Sequence, residues 1–348
     1  MTELNQKVYN ATIDILKVIA ILAVICIHTT TRTLEASSFD LQKVPLTLFL
    51  NQASRFGVPL FFLLSGFVLE LNYPYHASYL SYLKKRLSKI FIPYVFWSAI
   101  YFFFVYKDSD DFLGALITGS ASYQLYFIPT LLVFYMLFPF FHAYYKVITH
   151  AIPMIILGIL QITFLYYTYY IHPLPFFYPL SIALLNFYVF ILGSVASHHE
   201  QRLMTIMSKL KYVLLILVAV LVGYVFFEGY NGYLITHNYL SFYSQWRPSI
   251  LFYTITLGGL LYYLLTQNIS HFPFAKSLAK LSYVVFFVHV ISLEVIWYIV
   301  GKNVFFATHS NVTQQIWFDP LFFALTAFIS FSLAFILSKI PFLKKVTG

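Results

Sequence analysis

Asp14–His28 reads DILKVIAILAVICIH. An acid and a lysine open the run, a histidine closes it, and the ten residues between Lys17 and His28 are all apolar. A crossing of the hydrocarbon core takes roughly 20 mostly apolar residues as a helix. The segment from Ile13 onward meets that length, lacks a basic leader and a small-residue cleavage site, and so reads as a first transmembrane helix rather than a cleavable signal peptide. Composition agrees. Of 348 residues, 60% are hydrophobic and 9% charged, and mean hydropathy is +0.79, whereas soluble domains are about 25% charged. The fold class expected is all-α and polytopic.

Ten apolar stretches can span: 13–31, 46–71, 90–106, 123–145, 151–170, 177–197, 211–229, 247–266, 281–300 and 318–338. The connections between them are short, as in KDSDD (107–111), HPLP (172–175) and SHHEQR (197–202). None can hold a soluble domain, so residues 1–348 read as a single membrane-embedded domain. With the N-terminus inside, fourteen of the 21 Lys and Arg fall in cytoplasmic segments, from Lys7 to Lys345. Five fall outside (Arg32, Lys43, Lys107, Arg247 and Lys302), and Lys17 and Arg55 lie within spans. This bias predicts cytoplasmic termini. It also accounts for the net charge of +9 without a nucleic-acid partner; the bilayer is the partner. The lone cysteine, Cys26, excludes an intrachain disulfide. The adjacent His198 and His199, with only Glu200 beside them, are a weak metal-ligand set, and no metal is expected.

Ionisable groups at bilayer depth are costly and usually face a bundle interior. Lys17 and His28 are eleven residues apart, which is 1100°, within about 20° of a whole number of turns. They share one helix stripe, roughly 16 Å apart along the axis. Snorkelling of Lys17 and an interfacial His28 are the plain alternative. The second span carries Arg55 in its outer half, Pro59, Ser65-Gly66 and then Glu70, which could pair with Lys17. A guanidinium at that depth needs a partner or an anion. At the entrance to the third span Lys84, Lys85, Arg86 and Lys89 lie within six residues. They serve either as membrane anchors or as a site for a phosphate-rich cytoplasmic ligand, with Arg86 and Lys89 on one face. The ninth span holds His289 near mid-membrane, with Glu294 five residues on and 140° away, too far round for a direct dyad.

Together these stretches resemble the acyltransferase family 3 membrane proteins. The resemblance rests on Lys17 and His28 in the first helix, RFGVPLFFLLSGF (55–67) in the second, and Arg86 and Lys89 before Pro93. LYFIPTLLVFYMLFP (125–139) and SYVVFFVH (282–289) add to it. It covers most of the chain. Lysine stands at 17 and at 89 where arginine is commoner in the family, which keeps charge but loses bidentate phosphate geometry.

The resemblance implies ten spans and an O-acyltransferase of the bacterial plasma membrane. It would move an acetyl or other short acyl group from acyl-CoA to a cell-surface carbohydrate or its lipid-linked precursor. On this reading Arg86, Lys89 and Lys17 bind the donor, acetyl-CoA or another short acyl-CoA. His28 is the general base or a transient acyl carrier, and Arg55 stabilises the oxyanion or orients His28. His289 completes the catalytic set, with a satisfied packing histidine as the plain alternative, and Trp246 and Arg247 hold the sugar. Polysaccharide-synthesis proteins are further partners. The competing reading is a polysaccharide or lipid-linked-sugar transporter, or an export subunit, without acyl-transfer chemistry.

Overall fold

A computed structural model describes residues 11–37, 40, 44–73, 78–106, 110–172, 178–268, 274–304, 312–343 and 346. Lys7, Lys43, Lys107, Lys344 and Lys345 of the charge count lie outside these residues, as do 107–109 and 173–175 of the first two of the three quoted connections.

The described elements are helices: α1 Ala11–Ala36, α2 Pro45–Ala53, α3 Gly57–Leu71, α4 Tyr79–Ala99, α5 Phe112–Thr118, α6 Phe127–Ala143 and α7 Tyr145–Ile148. There follow α8 Ala151–Tyr166, α9 Tyr178–His198, α10 Glu200–Thr236, α11 Leu240–Tyr243, α12 Pro248–Gln267, α13 Ala275–Ile296 and α14 Val312–Lys339. Among the described residues nine helical segments are long and apolar enough to cross a membrane. The stretch expected at 123–145 forms the shorter apolar helix α6. The protein is an all-α, polytopic membrane protein.

Three helices depart from the expected bounds. The second span is not continuous: α2 stops at Ala53 and α3 starts at Gly57. Pro59 has no N–H, and its ring collides with the carbonyl four residues back, which belongs to Arg55. The chain answers with tight turns, Arg55 N–H to Gln52 O at 3.2 Å and Gly57 N–H to Ser54 O at 3.0 Å. The third span begins at Tyr79, so the basic cluster forms the first turns of α4; Ser78 caps it by accepting from the Ser81 N–H at 3.3 Å. In the same way 200–210, expected as a connection, is the start of the 37-residue α10. That stretch contains no Gly or Pro to end a helix.

Packing divides the chain into two compact units, one of residues 11–61 and 201–336, the other built on 62–200 and 337–348. In the first unit, the start of α1 meets the end of α12 (Thr12 to Thr266, 3.1 Å). The far end of α1 meets the end of α13 through Arg32 and Glu294, and the early part of α14 through Thr33 and Asp319. Thus α13 runs parallel to α1, and α12 and α14 run against it. In the second unit α3, α6 and α9 end level with one another, because Glu70, His142 and His198 meet there. That is the placement an alternating chain requires if α6 is its fourth crossing.

The second unit is held by aromatic stacking and by a glycine contact. Phe134 stacks on Phe190 at 4.3 Å, and Phe62 packs edge-on to Phe134 at 5.4 Å. Gly66 of α3 and Gly193 of α9 let the two backbones touch. A Cβ at Gly66 would overlap the Phe190 carbonyl oxygen, and one at Gly193 the Leu63 carbonyl oxygen. Small residues at membrane helix contacts permit this approach. Because the obstacle is backbone, Gly66→Ala or Gly193→Ala is expected to cost about 1–3 kcal/mol. Thermal unfolding in detergent checks this, with Gly223→Ala as the control, since nothing lies within 4 Å of a Cβ there. A loss confined to the first two variants is the expected result.

Candidate functional site

The first unit brings His28 and His289 together. α1 and α13 pack along their lengths, and the two rings lie 5.3 Å apart, tilted by 30°. His289 belongs to a nearly continuous buried face that also includes Val285, Phe286, Val288 and Ser292, and it is fully enclosed. Its Nδ1 lies 3.1 Å from the Val285 carbonyl oxygen. A carbonyl can only accept, so that nitrogen carries the proton and Nε2 carries the lone pair. Nε2 has no hydrogen-bond partner among the described residues. His28 is only partly buried.

Arg55 is placed by the break between α2 and α3. It is 5% exposed. Its Nε and Nη2 donate to Asn51 Oδ1 at 3.1 and 2.5 Å, and Nη1 donates to the Tyr243 carbonyl at 2.6 Å. Its guanidinium carbon lies 5.6 Å from the centre of the Tyr243 ring. Asn51 ties this group to the first helix: its Nδ2 reaches the Ile27 carbonyl at 3.2 Å, next to His28, and the Thr30 and Thr31 hydroxyls at 3.0 and 3.1 Å. A buried amide thus links this cation to the turn of α1 that carries His28. A general base with an oxyanion-stabilising cation beside it is the arrangement acyl transfer uses.

The remaining expected residues lie elsewhere. Lys17 occupies the near end of α1 and pairs with Asp14 at 3.0 Å. Glu70 has other partners than Lys17. Its carboxylate accepts from the Ser194 hydroxyl at 2.7 Å and lies 2.8 Å from His198 Nε2 and 3.0 Å from His142 Nδ1. Both imidazoles meet the same carboxylate oxygen, which makes this a clasp of three helix ends. Arg86 and Lys89 share the first half of α4 in the second unit. Lys89 is exposed, and Arg86 is half-buried with Nη2 3.5 Å from the Asn72 carbonyl. Among the described residues, no three His, Cys, Asp or Glu are grouped to hold a metal ion.

Arg247 is fully enclosed. It donates to Gln52 Oε1 at 2.5 Å and to the Val225 carbonyl at 3.2 Å, and pairs with Glu228 at 3.2 Å. Gln52 in turn donates to Asn51 Oδ1 at 3.1 Å. Arg247 is thus coupled through two amides to Arg55, while its neighbour Trp246 is half-buried.

Sequence reading missed Asn51, Gln52 and Glu228. The visible signal was two adjacent carboxamides at the start of an apolar span. It also missed Asp319, which is 2% exposed and accepts from Thr33 at 3.0 Å and Thr47 at 2.5 Å.

The model of an acyltransferase domain matches residues 10–339. Among curated proteins, the "Probable poly-beta-1,6-N-acetyl-D-glucosamine export protein" of Staphylococcus aureus strain MSSA476 is 24% identical over 299 residues, covering 80% of this chain and 81% of that protein. The Staphylococcus epidermidis protein of the same description is 24% identical over 289 residues, covering 75% of each. No solved structure matches the chain.

Proposed function

We propose, because this chain belongs to the acyltransferase family 3 of integral-membrane acyltransferases, that it transfers a short acyl group from acyl-CoA to a hydroxyl of a cell-surface carbohydrate or its lipid-linked precursor. The observation that carries the reading is the His28–His289 pair, with Arg55 tied through Asn51 to the Ile27 carbonyl beside His28. His28 takes the proton of the acceptor hydroxyl while that oxygen attacks the thioester carbonyl. Arg55 offsets the negative charge that develops on the carbonyl oxygen. The intermediate collapses by breaking the C–S bond, and the departing thiolate takes the proton from His28. The products are the ester and free CoA. The donor's phosphates call for charge-assisted donors, the role expected of Arg86, Lys89 and Lys17.

The distribution of Lys and Arg supports cytoplasmic termini, and on this reading the whole chain serves as one catalytic domain in the bacterial plasma membrane. The two staphylococcal relatives are described by a polysaccharide of N-acetylglucosamine, which makes an N-acetylglucosamine polymer a fitting acceptor. Their description also favours a second reading, in which this chain moves a glycan without modifying it.

Alkali-released short-chain acids from surface glycans separate the two. Cells lacking the chain are expected to lose one specific ester, and the wild-type chain is expected to restore it. Loss of surface polysaccharide with no change in ester content per sugar supports export instead.

A further inference from the structure

We infer that Arg32, Glu35 and Glu294 form the acceptor site, and that it selects a neutral or amino sugar over an anionic one. The inference rests on the acyltransferase reading for the identity of the acceptor. Arg32 and Glu35 follow His28 on α1 by four and seven residues, that is 400° and 700°, so both lie within about 40° of its direction. The rise is roughly 6 and 10 Å, comparable to one or two sugar rings. Glu294 faces them from α13, five residues beyond His289. Arg32 sits between the carboxylates, 3.6 Å from Glu35 and 3.4 Å from Glu294, and its guanidinium carbon is 5.2 Å from the centre of the Trp297 ring.

These contacts are loose. The three side chains keep 34%, 42% and 36% of their surface, so carboxylate oxygens stay open to a ligand. The buried Nε of Arg32 has no partner among the described residues. A second, independent observation comes from the neighbour of His28: His289 is fully enclosed, yet its Nε2 has no partner among the described residues. A buried acceptor without a donor is costly, and the hydroxyl of a ligand supplies one.

Two carboxylates to one guanidinium make this end of the site acidic. Carboxylates accept from sugar hydroxyls and attract ammonium groups; they repel uronates and phosphates. Arg247, by contrast, is fully enclosed and engaged with Gln52 and Glu228.

The test uses the full chain in nanodiscs, without donor, so that sugar binding is read separately from catalysis. The probes are oligomers of N-acetylglucosamine, of glucosamine and of a uronic acid, matched in length. The wild type is expected to bind the first two at least about tenfold more tightly than the third, at low salt. Glu35→Gln with Glu294→Gln is expected to erase that preference. Glu35→Gln alone, at a half-open position, serves where the double variant does not fold.

Preference retained in the folded variants overturns the inference, and so does equal wild-type binding of all three oligomers. Sugar binding that depends on Glu35 and Glu294, in a chain that forms no ester with any donor, keeps this site and removes the acyltransferase reading.

Discussion

Replacing His28 by alanine is expected to lower acyl transfer by about 10²- to 10⁴-fold, the usual contribution of a positioned general base. The expectation follows from three features. His28 is partly open while its neighbour His289 is closed, so a hydroxyl reaches His28 first. The tautomer of His289 is fixed by the Val285 carbonyl. The rings are 5.3 Å apart, near enough for the protonation of one to be felt by the other. His289→Ala is then expected to cost less than His28→Ala, and the double variant about as much as His28→Ala alone. Residues that act as one unit do not add. The measurement is ester formed per unit of protein in membranes with matched levels. Full activity in His28→Ala removes His28 as the base. Additive losses mean that the two imidazoles act separately.

The spans were legible because a bilayer imposes one strong rule, a long apolar helix, and composition obeys it. The two units were not, since which helices pack together is decided by side chains far apart in sequence. Pro59 was visible as a defect in the second span. Its consequence lies one turn earlier, at Arg55, because proline acts on the carbonyl four residues back. Lys17 and Glu70 look like a natural pair when only opposite charge is counted. Asp14 is nearer to Lys17, three residues away on the same helix, and Glu70 finds partners on α6 and α9 that no local pattern points to.

His28 and His289 were each visible as histidines in hydrocarbon, but their contact depends on the register of α1 against α13. Arg247 shows the opposite case. Next to a proline at the edge of a span it reads as an outside cation fit to hold a sugar. Burial follows only when Glu228 and Gln52 arrive from α10 and α2. Burying an arginine takes a carboxylate and hydrogen-bond acceptors together, and both come from other helices.

Replacing Arg55 by lysine is expected to reduce kcat by about 10²- to 10³-fold with the acceptor KM little changed, the signature of a group that acts on developing charge. Lysine keeps the charge but not the fork. The guanidinium reaches the Asn51 oxygen through two nitrogens and the Tyr243 carbonyl through a third, and an ammonium on a flexible stem cannot repeat that spacing. A purely structural role predicts a different pattern. Removing Arg55 then leaves Asn51 Oδ1 and the Tyr243 carbonyl with fewer donors, which costs about 1–3 kcal/mol of stability without a selective loss of kcat. Unfolding midpoints of Arg55→Lys and Arg55→Ala, measured beside their kinetics, separate the two. Added guanidinium ion is a further discriminator: partial recovery of kcat in Arg55→Ala is expected if the site needs a planar cation at that place. A variant that loses only stability, and is not rescued, assigns Arg55 to holding the broken second span against α1 through Asn51 and leaves the oxyanion to another donor.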